Sequence, residues 1–463
     1  MELQKLRIQN PQWDSLQFFY KDPVFRELSR AKYVLSHPVE KKIKVEPERV
    51  YILRGPRQVG KTTLLKLILK KLLEKGVSPL RTFYFALDIG GIREEEQLFD
   101  LLVTYIDFAS TSVEKPFFIF LDEATYTRDW ALGFKRAFDL GVVRDCFVII
   151  TGSSSLELKK GGERLPGRRG LAAHETDLQM LPITFREFLK NVAPEVPLPE
   201  VKLSSPALFK AAMEISYYSK ELKNLFKKYL LSGGFPLSIN DLLKNGAISP
   251  ASYYTYLQAL LGDLTKAGKR EGYLKELIYT IVEKRMEPLD AHLISQLTSI
   301  GSHNTVSSYI EVLEALFVLT TIYHAKNLTD PRPSFRRRRK FYFSDPFLFH
   351  TLASWAEGYS DSFFYSLQAI EGDFAGKLVE NTIGAHLKRK DEVFYWRGKK
   401  GELDFIFGRK PLFIEVKFKE KITAEDLKIM KKIKEGLVIT KENLSKLENI
   451  YMIPAHLFLA LID

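Results

Sequence analysis

Three features of the 463-residue sequence predict an α/β multidomain protein. Short apolar runs alternate with amphipathic stretches from about residue 50 to 190, a glycine-rich loop follows the first of these runs, and strand-like runs return near the C-terminus. At roughly 150 residues per domain, the length suggests about three domains. The expected divisions are a parallel-sheet domain with an N-terminal extension at 1–190, a helical lid or linker at 191–280, a winged helix at 281–345 and a second α/β unit at 346–463.

Composition excludes several classes. Hydrophobic residues at 45% and aromatics at 13% supply several packed cores, so the chain is not a disordered or low-complexity protein. The single cysteine, Cys146, excludes an internal disulfide, and no Cys/His pattern has zinc spacing. No apolar run approaches the roughly 18 residues that cross a bilayer. The opening MELQKLRIQN lacks the apolar segment of a secretory signal. A cytoplasmic protein with no membrane partner is expected. Lysine and arginine total 69 against 57 aspartates and glutamates, a formal charge of +12 that favours an anionic partner.

The elements follow in order. RVYILRG, TFYFALD, FFIFLDE and CFVIITGS are strand-like, and Lys61–Lys75, Glu94–Ser110 and Trp130–Asp139 carry helical periodicity between them. Strand–helix alternation predicts a mostly parallel sheet with helices on both faces, on which residues 1–49 dock. Helices are expected from about 183 to 280, broken at Ser232–Pro236 (SGGFP). Residues 284–325 read as helix, turn, helix, with Ser302 or Asn304 capping the second helix. Two strand-like runs joined by a basic loop follow, which is winged-helix order.

Gly55, Pro56, Arg57, Gln58, Val59, Gly60, Lys61 and Thr62 match GxxxxGK[ST], directly after a strand and opening a helix, with Thr63 next in the helix. Glycines let successive amides face phosphate oxygens, and the helix N-terminus adds positive potential. Lys61 is expected to reach the terminal phosphates of ATP and Thr62 to ligate Mg²⁺. PFFIFLDE ends a buried strand in two carboxylates. Asp122 is the candidate Mg²⁺ holder and Glu123 the candidate base for the attacking water. The next strand ends at Thr151, either a γ-phosphate contact or part of a small-residue turn. In Gly167–Gly170, Arg168 or Arg169 is either an arginine finger or part of a solvated basic loop. A finger acting in trans implies a homo-oligomer.

GPRQVGKT, FLDEAT, ITGSSS, LPGRRG with LPITFREFL after it, and SGGFP resemble the archaeal and bacterial AAA+-like P-loop ATPase family that carries a C-terminal DUF4143-type region. The resemblance covers most of the chain. It implies the strand order of additional-strand P-loop ATPases, ATP hydrolysis, and Glu123 as catalytic base.

Near the C-terminus, GELDFIF and LFIEVK flank a short turn. A turn centred between Arg409 and Lys410 sets Asp404 opposite Glu415, and period two puts Glu415 and Lys417 on one face. Two opposed carboxylates repel, and a Mg²⁺ or Mn²⁺ ion between them would relieve this. Lys417 would orient a water or steady developing charge, and Glu380 in a helical stretch is a third candidate carboxylate. The alternative is a cross-strand salt-bridge cluster. The arrangement resembles the PD-(D/E)xK nuclease core, which implies a restriction-endonuclease-like α/β domain, active or vestigial. Leu403 stands where that motif carries proline.

Arg336, Arg337, Arg338, Arg339 and Lys340 are five consecutive cations between strand-like runs. They are candidate DNA contacts from a wing, with Ser307, Ser308 and Tyr309 on the neighbouring helix, or else members of inter-domain salt bridges. Two functions follow as expectations. One is an ATP-hydrolysing protein that binds duplex or branched DNA, with a nuclease-like C-terminal domain. The other is an ATP-dependent switch whose nuclease-fold module is inactive.

Overall fold

The computed structural model describes residues 3–152, 158, 161–163, 173–398, 401–433 and 435–462, and the chain divides into two compact units, residues 1–181 and 182–463. The expected boundary at 190 falls within the helix Phe185–Val192, which packs on the helix Ala455–Leu461 of the second unit.

In the first unit, strands β1 (Val50–Arg54), β2 (Thr82–Ala86), β3 (Phe118–Asp122), β4 (Phe147–Gly152) and β5 (Asp177–Gln179) lie in the order β2-β3-β4-β1-β5, all parallel. All residues of β1 to β4 are buried, as their unbroken apolar runs require of a sheet covered on both faces. β4 is inserted between β1 and β3, the order the family resemblance implies. Helices α2 (Glu95–Ser110) and α3 (Trp130–Asp139) pack on the face bearing Ile52, Phe85, Leu121 and Ile150. Helix α1 (Lys61–Glu74), with Leu64, Leu65, Ile68, Leu69 and Leu72 buried, lies on the Tyr84 face, where Lys66 Nζ stands 3.5 Å from the Tyr84 ring centre.

The N-terminal extension completes an edge. β2 ends the sheet, and its exposed ladder groups are met by side chains instead of a sixth strand. Tyr84 N donates to Asn10 Oδ1 at 2.8 Å, Asn10 Nδ2 donates to Tyr84 O at 2.9 Å, Ala86 N donates to Gln9 Oε1 at 2.8 Å, and Trp13 Nε1 donates to Thr82 O at 2.9 Å. Amide side chains here do what a paired strand would do.

The second unit carries a mixed sheet: β6 (Leu319–His324), β7 (Lys340–Phe343), β8 (Val393–Gly398), β9 (Gly401–Phe407), β10 (Leu412–Lys417), β11 (Gly436–Thr440), β12 (Ser445–Leu447) and β13 (Ile450–Pro454), in the order β12-β13-β11-β10-β9-β8-β6-β7. Helices α4 (Glu271–Glu283), α5 (Ala291–Leu297) and α6 (His303–Ala315) precede β6 and β7, and Ser302 caps α6 through Thr305 N at 3.1 Å. β6 and β7 pair antiparallel, but they do not stand apart as a small sheet. β6 also pairs in parallel with β8, through Tyr323 opposite Phe394. Helix α7 (Ala375–Lys388), the antiparallel β8-β9-β10 meander, the helix Lys428–Ile433 and β11, parallel to β10, complete the α/β core.

The SGGFP segment has a structural explanation. Gly233 has φ +57°, and a Cβ there would fall 1.8 Å from Asp345 Oδ1. One on Gly234 would fall 2.0 Å from Ile183 O. Gly234 N donates to Asp345 Oδ2, and Phe347 N donates to Asp345 Oδ1, each at 2.8 Å, so a single buried carboxylate caps a helix and clamps the glycine turn. Gly233→Ala is therefore expected to lower stability by roughly 2–4 kcal/mol in chemical denaturation. Burial raises the Asp345 carboxyl from its ordinary 3.8 to about 6, against the opposing pull of the Gly234 amide and Arg389. The folded chain thus holds this proton over a pH range in which the unfolded chain has lost it. The contribution of Asp345 to stability should fall as pH rises from 3.8 to about 6. Asp345→Asn should remove that slope from unfolding measured across the window.

Candidate functional site

The glycine loop leaves β1 at Gly55, where a Cβ would meet Met180 O at 2.1 Å. Gln58 (φ 62°) and Gly60 (φ 102°) turn the backbone into α1, which begins at Lys61. Glycine at 55 and 60 allows the close approach and the left-handed turn of this path, which leaves the first amides of α1 free of intrahelical acceptors, an anion site. Val59 is buried and holds the loop down, Gln58 is exposed, and Pro56, Arg57 and Thr63 complete the loop and the first turn. Lys61 Nζ donates to Gly55 O at 2.8 Å and Pro56 O at 2.9 Å. The ammonium is therefore held over the loop by weak neutral acceptors that a phosphate would outcompete.

Asp122, almost fully buried, is the hub. Its Oδ2 accepts from Thr62 Oγ1 at 2.6 Å and from Tyr84 OH at 3.0 Å. Its Oδ1 accepts from Thr151 Oγ1 and from Glu123 N at 3.1 Å. The inserted β4 makes this possible, because it sets Thr151 beside the end of β3 while α1 delivers Thr62 from the other side. The adjacent Thr62 and Asp122 oxygens fit a hard divalent cation beside a triphosphate, and such a cation would neutralise phosphate charge. Glu123 has a left-handed backbone (φ 52°) that turns it out of the ladder to a half-exposed position. The loop residues, Asp122, Thr151 and Glu123 are thus brought to one end of the sheet. Arg168 and Arg169, like Ser153 and Ser154, lie outside the described residues.

Two residues escape the sequence reading. Tyr84 stands on β2 in register with Phe120, two residues before Asp122 and on the same face, so its hydroxyl reaches the carboxylate. Burial and then Asp122 raise the Tyr84 hydroxyl well above its usual range, keeping it a donor. Lys66 covers the Tyr84 ring and pairs with Asp22 at 3.1 Å, and its burial lowers the ammonium's affinity for its proton. The signal available was a polar tip in an otherwise apolar run, TFYFA.

The C-terminal carboxylates also converge. Leu412 lies opposite Phe407 and Ile414 opposite Phe405, and the next pair in this register is Asp404 and Glu415. There the side chains replace the ladder: Asp404 N donates to Glu415 Oε2 at 3.3 Å, and Val416 N donates to Asp404 Oδ2 at 2.9 Å. Lys417 Nζ bonds Glu415 Oε1, and Glu380 comes in from α7. Burial and then Asp404 push Glu415 up to about 8, whereas Glu380, despite burial, is drawn down to about 2 by Lys340 and Lys377.

The basic run is split. Arg336 and Arg337 are exposed and have no ion-pair partner among the described residues, whereas Arg338 is exposed and pairs with Asp290 at 3.2 Å. Arg339 is half-buried, 5.2 Å over the Tyr323 ring, with its backbone bridged to Leu289. Lys340 departs from the expected DNA-contacting set. It is fully buried, because period two on β7 turns it inward with Tyr342, onto Glu380, Glu402 and Asp404. Tyr309 also faces inward, its hydroxyl held by the Arg270 backbone, and Ser308 accepts from Lys269.

Residues 47–189 match the family model described as an AAA domain, residues 375–458 match DUF4143, and residues 223–358 match a further domain of unknown function, DUF8612. The first unit is an AAA+-like P-loop ATPase domain, the fold of nucleoside triphosphatases, and a DUF4143 domain lies at the C-terminus. The chain is 28% identical to an uncharacterized Methanocaldococcus jannaschii protein, MJ1637, over 94% of this chain and 90% of that one. Among solved structures, it is similar to the Walker-type ATPase PABY2304 of Pyrococcus abyssi (15% identity, 72% of this chain, 95% of that one, TM-score 0.40). It is also similar to the Aeropyrum pernix ORC1 protein in complex with DNA (14% identity, 69% and 88%, TM-score 0.31). No described helix is long and apolar enough to cross a membrane.

Tyr84→Phe removes one donor from a buried carboxylate. It is expected to cost about 1–2 kcal/mol in urea unfolding, with Asp122→Asn abolishing the difference in a double-mutant cycle.

Proposed function

We propose that this protein binds and hydrolyses ATP with Mg²⁺ and uses the nucleotide cycle to control binding to duplex or branched DNA. The observation that carries the ATPase part is the Asp122 hub, in which Thr62, Thr151 and Asp122 meet at the sheet end beside the glycine loop. In this reading Lys61 and the loop amides bind the phosphates, Thr62 and Asp122 hold the cation, Thr151 senses the γ-phosphate, and Glu123 orients and deprotonates the attacking water. Arg168, or its neighbour Arg169, is kept as the candidate finger.

DNA binding rests on Arg336, Arg337 and Arg338, three exposed guanidiniums ahead of β7, in a chain of net charge +12. A second reading is a nucleotide switch whose nuclease-like unit binds a partner without cutting. It is favoured by the lysines already bonded to Glu380, Asp404 and Glu415. DNA-stimulated ATP hydrolysis supports the first reading, and turnover that is flat with and without DNA supports the second.

Glu123→Gln should keep nucleotide affinity while losing about 100-fold or more in turnover; a variant that hydrolyses at the wild-type rate removes Glu123 from the mechanism. Replacing Arg336, Arg337 and Arg338 with alanine should flatten the plot of log binding constant against log salt by about 2–3 for duplex DNA. An unchanged slope would place the DNA surface elsewhere.

A further inference from the structure

We infer that Lys340 is a tethered cation bonded to Glu380 and Asp404, two of the three carboxylates the sequence assigns to a metal, so that the C-terminal unit carries this cluster without a metal. This concerns the second unit alone and does not depend on the ATP site or on DNA binding.

The donor set is already filled. Lys340 Nζ lies 2.7 Å from Glu380 Oε1, 2.8 Å from Glu402 Oε1 and 3.3 Å from Asp404 Oδ1, and its side chain is fully buried. Three carboxylates from α7 and β9 surround one positive charge, and that charge arrives on a side chain from β7. Every oxygen of the three candidate ligands has a donor. Glu380 Oε1 accepts from Lys340 and Tyr342, and Oε2 from Lys377 at 3.0 Å. Asp404 Oδ1 accepts from Lys340 and Oδ2 from Val416 N. Glu415 Oε1 accepts from Lys417 and Oε2 from Asp404 N.

Most of the charge is also compensated. Four cations, Lys340, Lys377, Lys417 and Arg397, face five carboxyl groups, Glu287, Glu380, Glu402, Asp404 and Glu415, which leaves at most one negative charge without a counter-charge. A hard cation needs its carboxylates ionised and uncompensated, and a buried ammonium on the same oxygens opposes it both electrostatically and sterically. Among the described residues, no group of three or more His, Cys, Asp or Glu side chains is arranged to hold a metal. The repulsion between opposed carboxylates that the sequence assigns to a metal is therefore answered by lysines.

The test is Mn²⁺ binding without nucleotide, counted by the loss of the free-ion electron paramagnetic resonance signal. Wild type and Asp404→Asn should bind equally. Lys340→Ala should add one site about tenfold or more tighter than any background, and Asp404→Asn in that variant should remove it. Wild-type binding that Asp404→Asn abolishes would overturn the inference. So would a folded Lys340→Ala that binds no more Mn²⁺ than wild type. Should Lys340→Ala fail to fold, the comparison of wild type with Asp404→Asn still decides the matter.

Discussion

A charge withdrawn from water must meet donors or a counter-charge inside the protein, and both polar centres of this chain are arranged around that requirement. Asp122 is the first case. Its carboxylate sits at the end of a wholly apolar strand, between two other buried strands, and is tolerable there only because hydroxyls from α1, β2 and β4 and one backbone amide converge on it. The same hydroxyls stand beside the glycine loop. A site assembled in this way needs little rearrangement to exchange internal hydrogen bonds for a ligand's oxygens, the condition under which preorganised electrostatics are most effective.

Lys340 is the second case. A lysine with no exposed surface is stable only if its ammonium is surrounded by acids, and Glu380, Glu402 and Asp404 supply them from two elements. Removing one member of such a group leaves the others buried and unpaired, at a cost of about 3–5 kcal/mol. The cluster consequently ties β7, α7 and β9 together. The β6–β7 hairpin and the β8-β9-β10 meander share a sheet, and they also share a network of buried charge. Asp345 shows the same economy on a smaller scale, one carboxylate serving both a helix start and the glycine turn behind SGGFP.

Much of the first unit was legible from its residues. A buried parallel strand has to be apolar throughout, so its ends are marked by the first polar residue, and the glycine loop, Asp122 and Glu123 occur at those marks. The register of β9 on β10 was legible as well, because a short turn and a period of two leave one alignment. Tyr84 and Lys340 were not legible. Each lies in a run that reads plausibly another way, Tyr84 as core aromatic and Lys340 as the last member of a surface basic patch. Their partners are far off in sequence, Asp122 for one and Glu380 and Asp404 for the other.

By itself the sequence determined the strand–helix alternation, the anion-binding loop, the paired acids at the end of β3 and the facing carboxylates Asp404 and Glu415, because backbone periodicity and local sterics act over a few residues. Only the tertiary structure decided which cation answers those carboxylates, which arginines remain in solvent and which hydroxyls surround Asp122. Those outcomes depend on which side chains different elements bring within about 3 Å of one another, a distance set by packing and not by any local pattern.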